Sequence, residues 1–289
     1  MTLEVFDLDR ALPAMHEVAA RLTPVSWQHP GQVTWSARYA LPEDLDHGPV
    51  AVFRVGGAPV GWAWAESPEW MEWCVDPAYD GVAEEALGWF LGATSAPTLR
   101  TSNLDTEPYL AAALVAAGFV EDPSVWFVQH TLDLVELAPV PDVPGYALRA
   151  VRPDEHVARA ECHRTSWSET SRVSAEAYRR LMATPPYRAD LDWVAVTPEG
   201  EMVASCCVWL DEPSGVALVE PVGCQPAHRR RGLASAVSLA ALHAAHAAGA
   251  TTGLVRPRGD DDNPEPGRVY RGIGFVPGPR THDWALTRP

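Results

Sequence analysis

His228-Arg229-Arg230-Arg231-Gly232-Leu233-Ala234 lies between an apolar run, Val216 to Val222, and a helical pattern, Ser235 to Ala248. A strand, a basic glycine-containing turn and a helix N-terminus, in that order, form an anion cradle. The first-turn N–H groups of a helix have no intrahelical partner, and the helix dipole adds positive potential where they point. Gly232 has no Cβ, so the backbone there can approach an anion that a side chain would hold off. Three arginines add mobile positive charge. The ligand chemistry that fits such a turn is a phosphate or pyrophosphate held by the N–H groups of Arg230 to Ser235.

Working outward, the second half reads as a strand at Tyr146–Ala150, helices near Asp154–Trp167 and Ala175–Ala183, and strands at Trp193–Val196, Met202–Leu210 and Val216–Val222. After the Ser235 helix come a strand at Thr251–Val255, a short helix ending near Gly272, and two last strands around Phe275 and Trp284. The first half repeats this order more loosely: a helix at Ala11–Arg21, strands at Val50–Val55, Pro59–Ala65 and Met71–Val75, a helix at Ala83–Leu91, a strand at Thr98–Thr101, a helix at Pro108–Ala117 and a strand at Val125–Leu132. Cys74-Val-Asp-Pro77-Ala echoes Cys224-Gln-Pro226-Ala, and Ala117-Gly-Phe119-Val echoes Ile273-Gly-Phe275-Val. Leu134 to Pro144, with three prolines and no period, reads as a linker between domains 1–133 and 145–289. Strands and helices mixed in this way give an α/β fold, each half a mixed sheet covered by helices.

A chain of 289 residues with 47% apolar residues can bury a core in each half. It contains no apolar run of membrane-spanning length, so no membrane role is expected. The N-terminus lacks the pattern of a secretion signal, and five cysteines without a CxxC pair read as reduced thiols; a cytoplasmic location and no bound metal are the expectations. All basic residues are arginine. Residues 1–144 hold 5 Arg against 21 Asp and Glu, a net −16, whereas residues 145–289 hold 17 of each. A surface this acidic repels nucleic acid and attracts cations, although solubility alone would also account for it.

Arg229-x-x-Gly232-x-Ala234 fits the pattern Q/R-x-x-G-x-G/A, and Asn263-Pro-Glu-Pro-Gly-Arg-Val-Tyr270-Arg-Gly-Ile-Gly-Phe275 fits an N…(L/V)Y…GF segment with Asn and Tyr seven apart. With the strand before them, these motifs resemble the GNAT acyltransferase superfamily, closely over residues 145–289 and weakly over 1–133. The resemblance implies two tandem GNAT-like domains, each a mixed, mostly antiparallel sheet flanked by helices, with acetyl-CoA as cosubstrate. It implies that Arg229, Arg230, Arg231, Gly232, Leu233, Ala234 and Ser235 wrap the pyrophosphate. It implies a splayed fourth strand whose main chain near Val222 and Cys224 bonds the pantetheine arm and the acetyl carbonyl, and an Asn263 that contacts the same arm. A helix N-cap is a compatible role for Asn263. Tyr270 matches the tyrosine that protonates the leaving thiolate. The family transfers the acetyl group directly, which argues against Cys224 as a covalent carrier. Cys206 and Cys207 alternate faces of one strand, so at least one is core.

Direct attack also needs a neutral amine. Glu220 stands two residues before Val222 on a strand, so the two are expected on one face. Its carboxylate is placed either to take the amine proton through water or to orient the acceptor.

The first half lacks the matching parts. Its turn reads Cys74-Val-Asp-Pro-Ala-Tyr-Asp80-Gly81, without arginines and with Asp80 near the phosphate position. A carboxylate beside a pyrophosphate is repulsive by more than about 1 kcal/mol in a partly dry site. Leu114 stands five residues before Phe119, as Tyr270 stands before Phe275, and cannot donate a proton. The expectation is a degenerate GNAT-like domain that binds no acetyl-CoA, braces the other half and walls the acceptor cleft. Trp27, Trp35, Trp62, Trp64, Trp70, Trp73 and Trp167 divide between core packing and that cleft, and Trp62 and Trp64 are expected to share a face with Val60. The loop His163 to Glu169 falls where the acceptor would enter.

The leading expectation is therefore an acetyl-CoA-dependent N-acetyltransferase acting by direct attack on a primary amine of a small molecule, a cationic acceptor included. A peptide or protein amine, or a non-catalytic acyl-CoA-binding scaffold, are the competing readings. Oligomerisation is left open.

Overall fold

The computed structural model describes residues 1–288 except 46, 80, 169 and 261–263. In the first half the elements are β1 (Thr2–Phe6), α1 (Leu8–Leu22), α2 (Pro30–Arg38), β2 (Val50–Val55), β3 (Ala58–Ala65), β4 (Trp70–Val75), α3 (Val82–Ala93), β5 (Thr98–Leu104), α4 (Pro108–Ala116), β6 (Val120–Asp122) and β7 (Val128–Asp133). The second half contains β8 (Ala147–Ala150), α5 (His156–Ser166), α6 (Ala175–Met182), β9 (Asp192–Val196), β10 (Met202–Asp211), β11 (Val216–Cys224), α7 (Leu233–Ala247), β12 (Thr252–Val255), α8 (Glu265–Gly272) and β13 (Val276–Thr287).

Local chemistry accounts for the elements. Asp7 caps α1 by accepting from the Arg10 N–H, and Ser174 caps α6 by accepting from the Ala177 N–H. The face of α1 carrying Ala11, Met15, Val18 and Leu22 is buried against Val50, Val52, Trp62 and Trp64. Three elements escaped the sequence reading: β1, α2 and β6. The first and last are short and mostly exposed, so they carry no core pattern.

The strands form two tandem sheets that run into one another, in the order β1-β2-β3-β4-β5-β13-β7-β12-β11-β10-β9-β8, with β6 on β13. Within each half, antiparallel strands lead to one parallel pair, β4 with β5 and β11 with β12. The halves then exchange strands. β7, from the first half, pairs antiparallel with β12 of the second. The end of β13, Thr281–Thr287, pairs with β5 of the first half and also receives β6. The two expected strands around Phe275 and Trp284 are thus one long strand, whose beginning pairs with β7 and whose end completes the other sheet.

The proline-rich segment after β7 is also packed down. Leu134 and Val143 are buried in the second half's core, with Leu137 against it.

Two β-bulges break the expected alternation. In β3, Phe53 faces Gly61 and Arg54 faces Pro59, which leaves Val60 as the extra residue. Trp62 and Trp64 therefore face α1, while Val60 joins the core under α3, contrary to the shared face expected. In β11, Cys206 pairs with Val222 and Val208 with Val219, so three steps on β11 span two on β10.

Candidate active site

β11 carries the site because it is paired on one side and released on the other. Its parallel pairing with β12 ends at Leu218 opposite Leu254, while pairing with β10 continues to Cys224. Beyond Leu218 the edge of β11 facing β12 is splayed, which frees main-chain groups near Val222 and Cys224.

The bulge fixes which side chains face where. Ala217 and Val219 belong to the core against α7, and Leu218 belongs to the core against α5 and α6. Alternation from Leu218 places Glu220 on the α5–α6 face. The extra residue then resets the phase, so Val222 and Cys224 pack with Val219 on the α7 side. Glu220 and Val222 consequently lie on opposite faces, not on one as simple alternation implied. Trp209 donates its indole N–H to the Glu220 carbonyl at 2.5 Å, which pins the bulge.

Burial pushes the Glu220 carboxyl up to about 7, and Arg256 nearby opposes this. Tyr270 closes α8 and is 8% exposed, its ring edge-on to Phe275 at 5.9 Å between centroids. Burial holds its phenol well above the usual range, and the charges of Glu220 and Cys206 add to the shift. The acid on β11 and the phenol on α8 are thus within electrostatic reach of each other.

The basic turn has the expected strand–turn–helix setting. Gly232 is the N-cap of α7 at φ 79, Arg230 also has a positive φ of 62, and no side chain caps the helix. A Cβ at Gly232 would meet nothing within 4 Å, so the space before the helix is open and the glycine is required by its backbone angle. Leu233 is buried and anchors the helix start, with Ala234 and Ser235 half-buried beside it. The three arginines divide the work. Arg229 donates to the carbonyls of Cys224 and Ser166 at 3.2 Å each, tying β11 to the end of α5. Arg231 donates to the Tyr146 hydroxyl at 2.8 Å, and that hydroxyl is 2.9 Å from His228 Nδ1. Arg230 is exposed at the mouth of the turn. An uncapped helix start, an open approach and a free arginine fit a pyrophosphate. Asn263 and Asp80 lie outside the described residues.

Cys224 is half-buried, and burial raises its thiol pKa against the pull of Arg229 and Arg231. It is held as a thiol, a weak nucleophile. Cys206 and Cys207 are both core, on opposite faces of β10.

Elements of both halves wall the α5–α6 face. Helix α2 packs against α6, β10 and β11. Its Trp35 stacks on Tyr39 and lies 5.3 Å from the His163 ring, which in turn stacks on Trp167. Trp167 is 43% exposed and lies over Gly223, where a Cβ would come within 3.0 Å of its indole nitrogen. Trp62, Trp64 and Trp73 are core, whereas Trp27, Trp35 and Trp70 are half-buried. Glu72 accepts from Gln28 and Trp70 at 2.6 Å each.

Arg256, which the sequence reading passed over, lies on this same face. Its guanidinium stacks on Trp27 at 4.4 Å, and its Nε donates to Gln129 Oε1 at 3.4 Å. Both terminal nitrogens are buried and, among the described residues, have no hydrogen-bond partner. Its place directly after a buried strand was the only sequence signal.

The first half shows the same frame with other side chains. Gly81 caps α3 at φ 82, but the first turn that follows carries Glu84 and Glu85. Leu114 is fully buried where Tyr270 stands, with the same Phe119 N–H to Leu114 carbonyl bond. Trp73 donates to the Ser102 carbonyl and Tyr109 to the Val75 carbonyl, each at 2.7 Å. Side chains therefore fill the gap between β4 and β5.

Residues 155–275 match the family described as acetyltransferase (GNAT) family. The chain carries a GNAT domain. The fold of the whole chain is similar to a tandem GNAT protein from the clavulanic acid biosynthesis pathway, at 19% identity and a TM-score of 0.66, covering 100% of this chain and 99% of that one. It is also similar to a GCN5-related N-acetyltransferase from Sphaerobacter thermophilus, at 17% identity and a TM-score of 0.63 over 99% and 96% of the two chains. A GNAT-family acetyltransferase from Colwellia psychrerythraea gives 10% identity and a TM-score of 0.64 over 99% and 100%. No curated protein sequence matches the chain. The GNAT domain and its first-half partner thus share a tandem fold with known acetyltransferases. Among the described residues no helix is long and apolar enough to cross a membrane, and no cluster of His, Cys, Asp and Glu could hold a metal.

Proposed function

We propose that the protein transfers the acetyl group of acetyl-CoA to a primary amine of a small molecule by direct attack, in the second half alone. The observation that carries this reading is the open, uncapped start of α7 at Gly232 beside a β11 whose pairing with β12 ends at Leu218, with Glu220 on the released stretch and the Tyr270 phenol in its electrostatic reach. A base works best when its pKa lies near the operating pH, and an acid must still hold its proton when the leaving group departs. Glu220, raised to about 7, takes the proton of the attacking amine, directly or through water. Tyr270 gives its proton to the departing thiolate. Main-chain groups of β11 near Val222 and Cys224 hold the pantetheine arm and the acetyl carbonyl. The turn from Arg229 to Ser235 holds the pyrophosphate at the uncapped start of α7.

The filled gap between β4 and β5 supports a first half that braces the site without binding acetyl-CoA. Its α2 and its acidic groups then wall the acceptor side.

A thiol-release assay with acetyl-CoA and a panel of small amines tests the reading. Tyr270→Phe is expected to lower kcat by about 100-fold or more with unchanged acetyl-CoA affinity. Full turnover in that variant would remove the proton-donor role.

A further inference from the structure

β11 and β12 run parallel, with Leu218 opposite Leu254 as the last pair, and both leucines belong to the core beneath α2, α5 and α6. Two residues further along stand Glu220 on β11 and Arg256, the residue just past the end of β12. From Leu218 and Leu254 onward the strands diverge, so these two charged side chains flank the opening.

Neither is spent on the other: among the described residues they form no ion pair. Arg256 is 7% exposed, and among the described residues only its Nε and one face of its guanidinium are used, by Gln129 and Trp27. The fork of two terminal nitrogens is buried and empty-handed. Such a fork is built for a two-oxygen acid, and leaving it unpaired out of water is costly. The other acids in electrostatic reach are engaged elsewhere. Glu72 is held by Gln28 and Trp70, and Glu107 accepts from the Leu104 N–H. Burial also shifts Glu72, Glu107 and Glu220 toward their neutral forms, while Arg256, lowered to about 10, stays cationic at neutral pH.

We infer that the acceptor is a small amino acid-like zwitterion, with its amine at Glu220 and its carboxylate on the terminal nitrogens of Arg256. A carboxylate suits the place, because its two oxygens match the fork of two nitrogens and its single negative charge balances the single positive charge there. The identification of the amine end rests on the acetyl-transfer reading above; the carboxylate end rests on Arg256 alone. Arg256 is thereby a specificity residue, reading a group remote from the transferred acetyl.

The test is a matched-acceptor assay on the full chain with acetyl-CoA and thiol-release detection. A set of amino acids is compared with their carboxamides and their decarboxylated amines. The acids are expected to show kcat/KM at least about 100-fold above the matched neutral compounds, because a buried polar group left unpaired discriminates strongly. Arg256→Gln is expected to erase that preference, lowering the acids by about that factor more than the amides, so that the two classes become equal; Arg256→Lys retains part of it. Equal use of acids and amides by the unaltered protein overturns the inference, and this comparison needs no variant to fold. If no amine is acetylated, the transfer reading fails separately. Calorimetric titration of the same acids and amides in the presence of CoA then decides the carboxylate site: acids binding over amides upholds it, and no preference overturns it.

Discussion

Burial raises the pKa of both Glu220 and Tyr270, which favours the protonated form of each. Glu220 must be ionised to accept a proton, so kcat/KM is expected to rise about tenfold per pH unit below about 7 and to level above it. Glu220→Gln should lower the rate and flatten that limb. The same shift has a stability signature. The folded chain holds the Glu220 proton more tightly than the unfolded chain, so ionisation costs stability as pH rises from about 4.5 through about 7. Glu220→Gln should therefore melt higher than the unaltered protein at pH 8 and show no such gain at pH 4. Melting curves at the two pH values check this. Equal shifts at both would mean that Glu220 is not a buried acid. The burial of Glu220 on β11 and the helix-opening glycine at 232 were legible in the sequence, because strand and turn patterns carry them, while Tyr270 was singled out by resemblance. Arg256 was not legible, because nothing in sequence marks a guanidinium whose terminal nitrogens find no partner; only packing against Trp27 and Gln129 makes it so.

Among the elements, helices and strands with a strong period were read almost to their ends, such as α6 and β10. What failed was side-chain direction across bulges. The phase resets at Val60 in β3 and after Glu220 in β11 reversed the faces assigned to Val60 and Val222. A bulge is one extra residue, set by the partner strand's register, and a single strand's pattern does not contain that information. The strand–turn–helix unit at Gly232 was read correctly because its signal is local. It supports a prediction at its own scale. Gly232→Val must place a β-branched side chain at φ 79, which costs about 1–2 kcal/mol and tilts the first-turn N–H groups. The KM for acetyl-CoA should rise at least about tenfold, with the acceptor KM little changed. Steady-state kinetics in both substrates checks it, and an unaltered acetyl-CoA KM would contradict the cradle.

At the level of the whole molecule, the duplication was visible in the order of elements and in the paired Gly-Phe echoes, but the exchange of strands was not. β7 and the end of β13 occupy equivalent places, so either could complete either sheet, and the choice rests on three-dimensional pairing. The exchange means that residues 1–144 made alone would lack the strand beside β5, and residues 145–289 the strand beside β12. Both would expose long unpaired edges. Each half made separately should aggregate or remain unfolded, and co-expression should yield a one-to-one complex. A monomeric, folded second half with full acetyl-CoA affinity would speak against this coupling.

The central claim is that a duplicated frame holds one cosubstrate. Calorimetric titration of acetyl-CoA into the full chain tests it most directly. One site per chain, weakened by Gly232→Val, is the predicted result; two sites per chain, or none, would contradict it.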